Sequence, residues 1–275
     1  MVSTRSWLFC PADRPDRLRK AVDAADAAVA DLEDAVHVDG KAAAREQLVA
    51  VLREDPARAG RIWVRINNDE HLDADLAALA DAPVAGIVVP KAEPEVLRAV
   101  SARATVPLLA LVETAHGLWR AWESAAVPRV QALTLGEYDL ADELGTCSPE
   151  VDAEPLHWAR SRVVAAAAAA GLDPPPAPVS AELADPDAYL AGTARLQRFG
   201  FFGRMCIHPK QVAQVHAALR PAADEVDRAR RVVRAADAAE QDGQAVLVVD
   251  GRMIDAPVVR RARRVLELAA APDHG

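Results

Sequence analysis

Two carboxylates stand where a divalent cation would find oxygen ligands. Glu113 directly follows the apolar run LLALV, and Asp139 comes after a second run, ALTL. Between them, Gly117 to Ala126 has helical character. A strand–helix–strand crossover leaves two parallel neighbouring strands, so both acids emerge at the same end of one sheet. Two oxygen ligands, with room for water and substrate, are what a catalytic Mg2+ asks of a protein. The structural alternative is a pair of solvated strand-end acids, as most surface carboxylates are. Their equivalent positions after fully apolar runs favour a site.

The elements that would carry such a site recur along the chain. Apolar strands are expected at Ser6–Cys10, Ala27–Leu32, Arg61–Ile66, Gly86–Pro90, the two runs above, near Val179, and at Arg204–Ile207. Helical segments separate them: one opened by Asp13-Arg14-Pro15, then Lys41–Leu52, Leu72–Ala82, Pro94–Ala102, Leu156–Ala170 and Pro186–Phe199. Pro15, near the first turn, marks the start of the first of them. Eight strand-then-helix units fit a (β/α)8 TIM barrel, with an open doubly wound sheet as the alternative. No G-x-G-x-x-G follows any strand, which disfavours a dinucleotide fold. The residues at the strands' C-terminal ends are Glu33 and Asp34, Arg65 and Asn67, Lys91, Glu113, Asp139 and His208. In a barrel they converge on one mouth.

Residues 1–220 account for the barrel, the catalytic domain; residues 221–275 form a C-terminal extension, a lid or oligomer contact. The extension reads as a helix from Ala223 to Ala239, a strand from Ala245 to Val249, then DGRMIDAP and a last helix to about Ala270. Half of the 275 residues are apolar, so a large core is available. A net charge of -9 argues against general nucleic-acid binding, although a local basic patch can still hold a polyanionic small molecule. Cys10, Cys147 and Cys206 are few, odd in number and without metal spacing, which fits a reducing cytoplasm. The N-terminus has no signal-peptide core, and the Val163–Ala170 run is too short to span a bilayer.

The stretches SWLFCPADRPDRLRKA, DLEDAVHVDGKAAAR, WVRIN, GIVVPKAE, LVETAHGL, LGEYDLADELG, GRMCIHPKQV and DGRMIDAPVVRRA cover almost the whole chain. In that order they resemble the citrate lyase beta-subunit-like (CitE-like) enzymes of the HpcH/HpaI aldolase and malyl-CoA lyase superfamily. The resemblance implies a TIM barrel with a C-terminal extension, a homotrimer or hexamer, and Mg2+ (Mn2+ as a substitute) as cofactor. It implies C–C bond cleavage or formation in short 3-hydroxyacyl-CoA thioesters such as malyl-, methylmalyl- or citramalyl-CoA, with coenzyme A as part of the substrate.

By the same resemblance, Glu113 and Asp139 are the metal ligands and Arg65 faces the substrate carbonyl. Asp255 is an acid/base residue brought by a neighbouring subunit's tail. Glu33, with Asp34, matches acids beside the metal. Arg14, Arg17 and Lys20 match the region that meets coenzyme A phosphates, with Lys91 and Lys41 as further candidates. Two departures bear on the acyl substrate: Tyr138 replaces an acid before Asp139, and Ala177-Pro178 replaces an Asp-Gly near the seventh strand.

Each assignment has a structural alternative. Arg65 would pair with Glu33 inside the barrel, the Arg14–Lys20 helix would be a solvated basic face, and Asp255 would cap the last helix. His208 reads as a hydrogen-bonding residue of a turn, and His37 and His116 as loop residues. Alternative functions are a coenzyme-A-independent 2-oxo-hydroxy acid aldolase, a citrate lyase beta-type subunit that needs an acyl-carrier partner, and a silent thioester-binding paralogue.

Overall fold

The structure, a computed structural model, describes residues 4–241 and 247–270. Seven parallel strands form one sheet: β1 (Ser6–Pro11), β2 (Ala27–Asp31), β3 (Ile62–Arg65), β4 (Gly86–Val89), β5 (Leu108–Val112), β6 (Val130–Leu135) and β7 (Arg204–Cys206). Their spatial order is β6-β5-β4-β3-β2-β1-β7. β1 to β6 pair with their sequence neighbours, as consecutive strand–helix–strand crossovers do, whereas β7 returns to pair with β1.

Residues of both strand faces are buried, which is why the runs are continuously apolar rather than alternating. One core cluster takes at least one residue from each of β1 to β7, among them Trp7, Val29, Trp63, Val88, Leu109, Ala132 and Met205. A cluster shared by both ends of the strand order requires the sheet to curl. Trp7 and Trp63 meet edge-on, ring centroids 5.2 Å apart. Gly86 leaves the space that the Trp63 ring fills; a β-carbon there would collide with it. Each large apolar side chain buried this way stabilises the fold by roughly 1.5–3 kcal/mol relative to exposure.

The seventh of the eight expected strands, near Val179, does not form, whereas the eighth does, as β7. Near Val179 the structure has one isolated bridge, Ala177 to Arg204. Pro174, Pro175, Pro176 and Pro178 remove the N–H groups a ladder needs. The segment still bonds to both sides: Asp173 N–H donates to Gln131 O on β6, Thr134 Oγ1 donates to Pro176 O, and Met205 N–H of β7 donates to Ala177 O. The architecture is therefore an α/β fold with a curled seven-stranded parallel sheet.

Two further expectations are corrected. The single helix from Gly117 to Ala126 is two short ones, Ala115–Trp119 and Ala121–Ala125. Asp139 lies within the unforeseen helix Glu137–Glu143, in its first turn, not on a free loop.

The chain divides into two compact units, residues 1–218 and 219–275. The second contains helix Ala223–Gln241, a hairpin of β8 (Leu247–Val249) and β9 (Arg252–Ile254), and helix Ala256–Ala270. Its hairpin turns at Asp250-Gly251, both at positive φ, a turn whose twist matches paired strands. Ala245 and Val246 of the expected strand lie outside the described residues, and β9 was not foreseen. Ala229, Val232, Ile254 and Ala262 form its core. Among the described residues no helix is long and apolar enough to cross a membrane.

Candidate active site

β5 and β6 are parallel neighbours, with Val112 opposite Leu135. The next residues, Glu113 and Gly136, therefore stand side by side beyond the strand ends. Glu113 is 3% exposed. The Lys91 backbone N–H donates to its Oε1 at 2.7 Å. Lys91 adopts φ 45°, a left-handed conformation that costs a non-glycine residue energy and turns this N–H toward the carboxylate. A β-carbon at Gly136 would lie 2.5 Å from Glu113 Oε2, so glycine is needed for the carboxylate to lie flat there.

Burial, together with the charges of Glu33 and Asp139, pushes the Glu113 carboxyl up to about 8, against the opposing Lys91 hydrogen bond. The site is thus short of positive charge. Asp139 is exposed, and it lines the same cavity as Glu113, about 480 Å3 in volume. That size suits a small-molecule site. The helix N-terminus further favours an anion at Asp139.

Arg65, at the end of β3, lines the cavity and carries the cation of the site. Its Nε and Nη2 donate to the two Asp31 oxygens at 2.8 and 2.5 Å. Nη1 lies 2.9 Å from Glu33 and 3.3 Å from Asp34. Burial works against the charge, but Asp31, Glu33 and Asp34 outweigh it and raise its pKa above the usual arginine value. The guanidinium also rests over the Phe9 ring, 5.2 Å from its centroid. Both readings of Arg65 thus have support: it pairs with Glu33, and it still faces the cavity.

Glu33 is buried behind these cations, its Oε1 accepting from Lys91 Nζ at 3.0 Å. Burial raises its pKa despite Arg65 and Lys91. It does not line the cavity; Asp31 and Asp34 do. Cys10 is also at the wall, and burial lifts its thiol to about 11, so it stays protonated and inert as a nucleophile.

The basic candidates separate. Lys41 is buried, and its Nζ donates to Leu32 O, Glu33 O and Asn67 Oδ1 at 2.8, 2.9 and 2.5 Å. All three ammonium protons are used, which removes it as a phosphate contact. Lys91 spends its side chain on Glu33, although half of that side chain remains exposed. Arg14, Arg17 and Lys20 are exposed at or along helix Pro15–Ala24 and do not line the cavity. Asp255 caps helix Ala256–Ala270 through Val258 N–H, the structural alternative stated for it. His208 Nδ1 accepts from Lys210 N–H, a helix-start role.

Three features escaped sequence reasoning. Asp31 sits one place inside the expected strand and reads as interior. Glu137 makes a buried two-point ion pair with Arg160, 2.6 and 2.7 Å. Tyr138 hydrogen-bonds to two loops, which its position in a motif does not reveal.

Among the described residues no three His, Cys, Asp or Glu side chains converge as a metal-binding group. Two carboxylates remain, one of them buried beside the negative charges of Glu33 and Asp139, a setting that a cation would relieve. Mg2+ keeps several waters and needs only one or two protein carboxylates, so the donor set fits it.

Fold and cavity together define an α/β enzyme whose site lies beyond the C-terminal ends of parallel strands, the usual place in such sheets. Residues 5–209 match the HpcH/HpaI aldolase/citrate lyase family, and the chain belongs to it. It is 36% identical to a citrate lyase subunit beta-like protein of Deinococcus radiodurans over 275 residues, 95% of this chain and 96% of that protein. It is 36% identical to a (3S)-malyl-CoA thioesterase of Cereibacter sphaeroides, covering 97% and 95%. The CitE protein of Mycobacterium tuberculosis, solved in complex with magnesium, acetoacetate and coenzyme A, superposes with a TM-score of 0.83 at 33% identity over 98% of each chain.

Proposed function

We propose that this protein is a Mg2+-dependent carbon–carbon lyase, or Claisen-type synthase, acting on short 3-hydroxyacyl-CoA thioesters. The buried Glu113 beside Asp139, in a cavity that also exposes Arg65, carries the reading. Family membership and the relatives that bind magnesium and coenzyme A support it. Curled around one core, the sheet and the bonded 173–178 segment act as a barrel whose mouth holds the site. Unpaired cysteines support a cytoplasmic enzyme. The exposed rings of Trp119, Trp122 and Trp158 support a homo-oligomer.

In cleavage, the bond between the thioester α-carbon and the hydroxyl carbon breaks. The electron pair goes to the α-carbon, the hydroxyl proton passes to water, and a 2-oxo acid departs. Glu113 and Asp139 would hold the metal, which when bound supplies charge to the hydroxyl and carboxylate oxygens. Arg65 has five N–H donors, of which Asp31 and Asp34 engage three in hydrogen bonds, while Glu33 pairs with it by charge. The second Nη2 proton is available to the thioester oxygen. A fixed cation there stabilises the enolate as its charge develops. Asp255 of a neighbouring copy protonates the α-carbon, and in synthesis removes that proton. Arg14, Arg17 and Lys20 meet the phosphates of coenzyme A.

The test is an assay on malyl-, methylmalyl- and citramalyl-CoA with and without EDTA. Released 2-oxo acid is trapped as a hydrazone and free thiol is read separately. Metal-dependent 2-oxo acid without thiol release is expected. Thiol release alone would make the protein a thioesterase, as one relative is named. Glu113→Ala and Asp139→Ala are each expected to abolish turnover in a folded protein.

A further inference from the structure

Tyr138 stands between two cavities. One is the site cavity, about 480 Å3; the other is about 260 Å3 and lies among Glu137, Arg160, Arg195 and Arg204. Tyr138 and Val179 line both, so their side chains are the wall between them. Tyr138 immediately precedes Asp139 in the first turn of helix Glu137–Glu143. It therefore flanks the half of the substrate that meets the acids, not the coenzyme A half.

The ring is not free to swing. Its hydroxyl accepts from Ala181 N–H at 2.8 Å and donates to Glu150, whose other oxygen accepts from Ser148. One phenol thus ties the 148–150 loop to the 180–182 loop. Burial and the Glu150 contact keep that phenol protonated, as donation to a carboxylate requires. On the site side the ring joins apolar neighbours, Leu135, Val179, Met205 and Ile207. Such a wall favours an apolar substituent over a polar one, and the tethered ring bounds how far it can extend.

We propose that Tyr138 sets the size of the 2-oxo acid half of the substrate, its tethered ring closing the site cavity against the adjacent chamber. The inference rests on the lyase reading above. A substituent of one carbon on the hydroxyl-bearing atom fits; one of two or more meets the ring. Removing the ring joins the chambers and opens a path for longer chains.

The experiment condenses acetyl-CoA with glyoxylate, pyruvate, 2-oxobutyrate or 2-oxovalerate in Mg2+, reading the CoA ester formed. Wild type, Tyr138→Ala, Tyr138→Phe and Val179→Ala are compared. One methylene in an apolar pocket changes kcat/KM by about 10- to 200-fold. Tyr138→Ala is expected to raise the 2-oxobutyrate-to-pyruvate ratio of kcat/KM by about tenfold or more. Val179→Ala, which thins the same wall, shifts the ratio the same way and serves if the tyrosine variant fails to fold. Tyr138→Phe keeps the ring but cuts its tether, and is expected to shift the ratio the same way but less than Tyr138→Ala. A wild type active on glyoxylate or pyruvate, with an unchanged ratio in Tyr138→Ala and Val179→Ala, would overturn the inference alone. Equal shifts in the alanine and phenylalanine variants would overturn the assignment to the ring. A wild type inactive with all four acids would overturn the lyase reading and the inference with it.

Discussion

Asp31 and Arg65 are register partners on adjacent parallel strands, and their side chains meet in a two-point ion pair of 2.8 and 2.5 Å. The same carboxylate accepts the N–H groups of Glu33 and Ala35 at 2.9 and 3.2 Å. One side chain therefore fixes both the site's cation and the turn that carries Glu33 and Asp34. The pair is mostly buried, its side chains 11% and 4% exposed. Breaking a buried pair from one side costs about 3–5 kcal/mol, because the remaining charge is left uncompensated. Glu33 and Asp34 soften that loss here. Asp31→Ala is expected to lower urea-unfolding stability by about 3 kcal/mol and to cut turnover roughly 100-fold. An unchanged unfolding midpoint would show that Glu33 and Asp34 suffice to hold Arg65.

Gly136→Ala tests the packing of Glu113. The new β-carbon would lie 2.5 Å from Oε2 and 2.6 Å from Cβ of Glu113, so the carboxylate must move. Overpacking of this kind costs about 1–3 kcal/mol. Calorimetric titration with Mg2+ should show affinity at least about tenfold weaker, the range seen when a ligand loses its orientation. Gly86→Ala is the control. It crowds Trp63 in the core and should lower thermal stability while leaving Mg2+ affinity unchanged.

Asp26 predicts the acid limb of stability. It lies at the opposite end of the sheet from the cavity, where Arg5, Ser6 and His216 face it. Burial opposes its charge, but hydrogen bonds from His216 and Arg5 outweigh this and hold the carboxyl well below the usual range. A carboxyl depressed in the folded state binds its proton later than in the unfolded chain. Its stabilisation is therefore full above the unfolded value near 4 and is lost as pH falls toward the folded value. Thermal melts between pH 6 and pH 2 should show a steep loss below about pH 4. Asp26→Asn should flatten that limb and start from a lower melting temperature. A parallel curve in the variant would assign acid lability to other carboxylates.

Much of this architecture was legible because buried parallel strands advertise themselves. LLALV and GIVV have no alternation to misread, and Glu113 and Lys91 follow from where those runs stop. What was hidden depended on register and on prolines. Asp31 looked internal to a strand, and only its pairing with Arg65 gives it a role. The segment around Val179 carries enough apolar residues for a strand, but its prolines cannot donate to a ladder. Lys41 reads as an available base at a helix start, yet its ammonium is consumed by two carbonyls and Asn67. Contacts between residues so far apart in sequence leave no local signal.

Asp255 separates capping from chemistry most sharply. Its carboxylate accepts from Val258 N–H at 3.3 Å, at the start of helix Ala256–Ala270. Asparagine caps a helix about as well as aspartate, whereas alanine loses about 1 kcal/mol. If Asp255 only caps, Asp255→Asn keeps turnover and Asp255→Ala loses a little stability. The proposed acid/base role gives another pattern: both variants lose turnover roughly 100-fold or more, and Asp255→Asn melts like wild type. The proposed origin in a neighbouring copy adds a second readout. Asp255→Asn and Glu113→Ala are each expected to be inactive alone. Mixed and allowed to exchange subunits, they would form hybrid oligomers in which an intact Asp255 from one copy meets an intact Glu113 of another. Recovered turnover on mixing is the expected result. A mixture as silent as its parts, with Asp255→Asn inactive alone, would place the acid in the same chain as the site it serves.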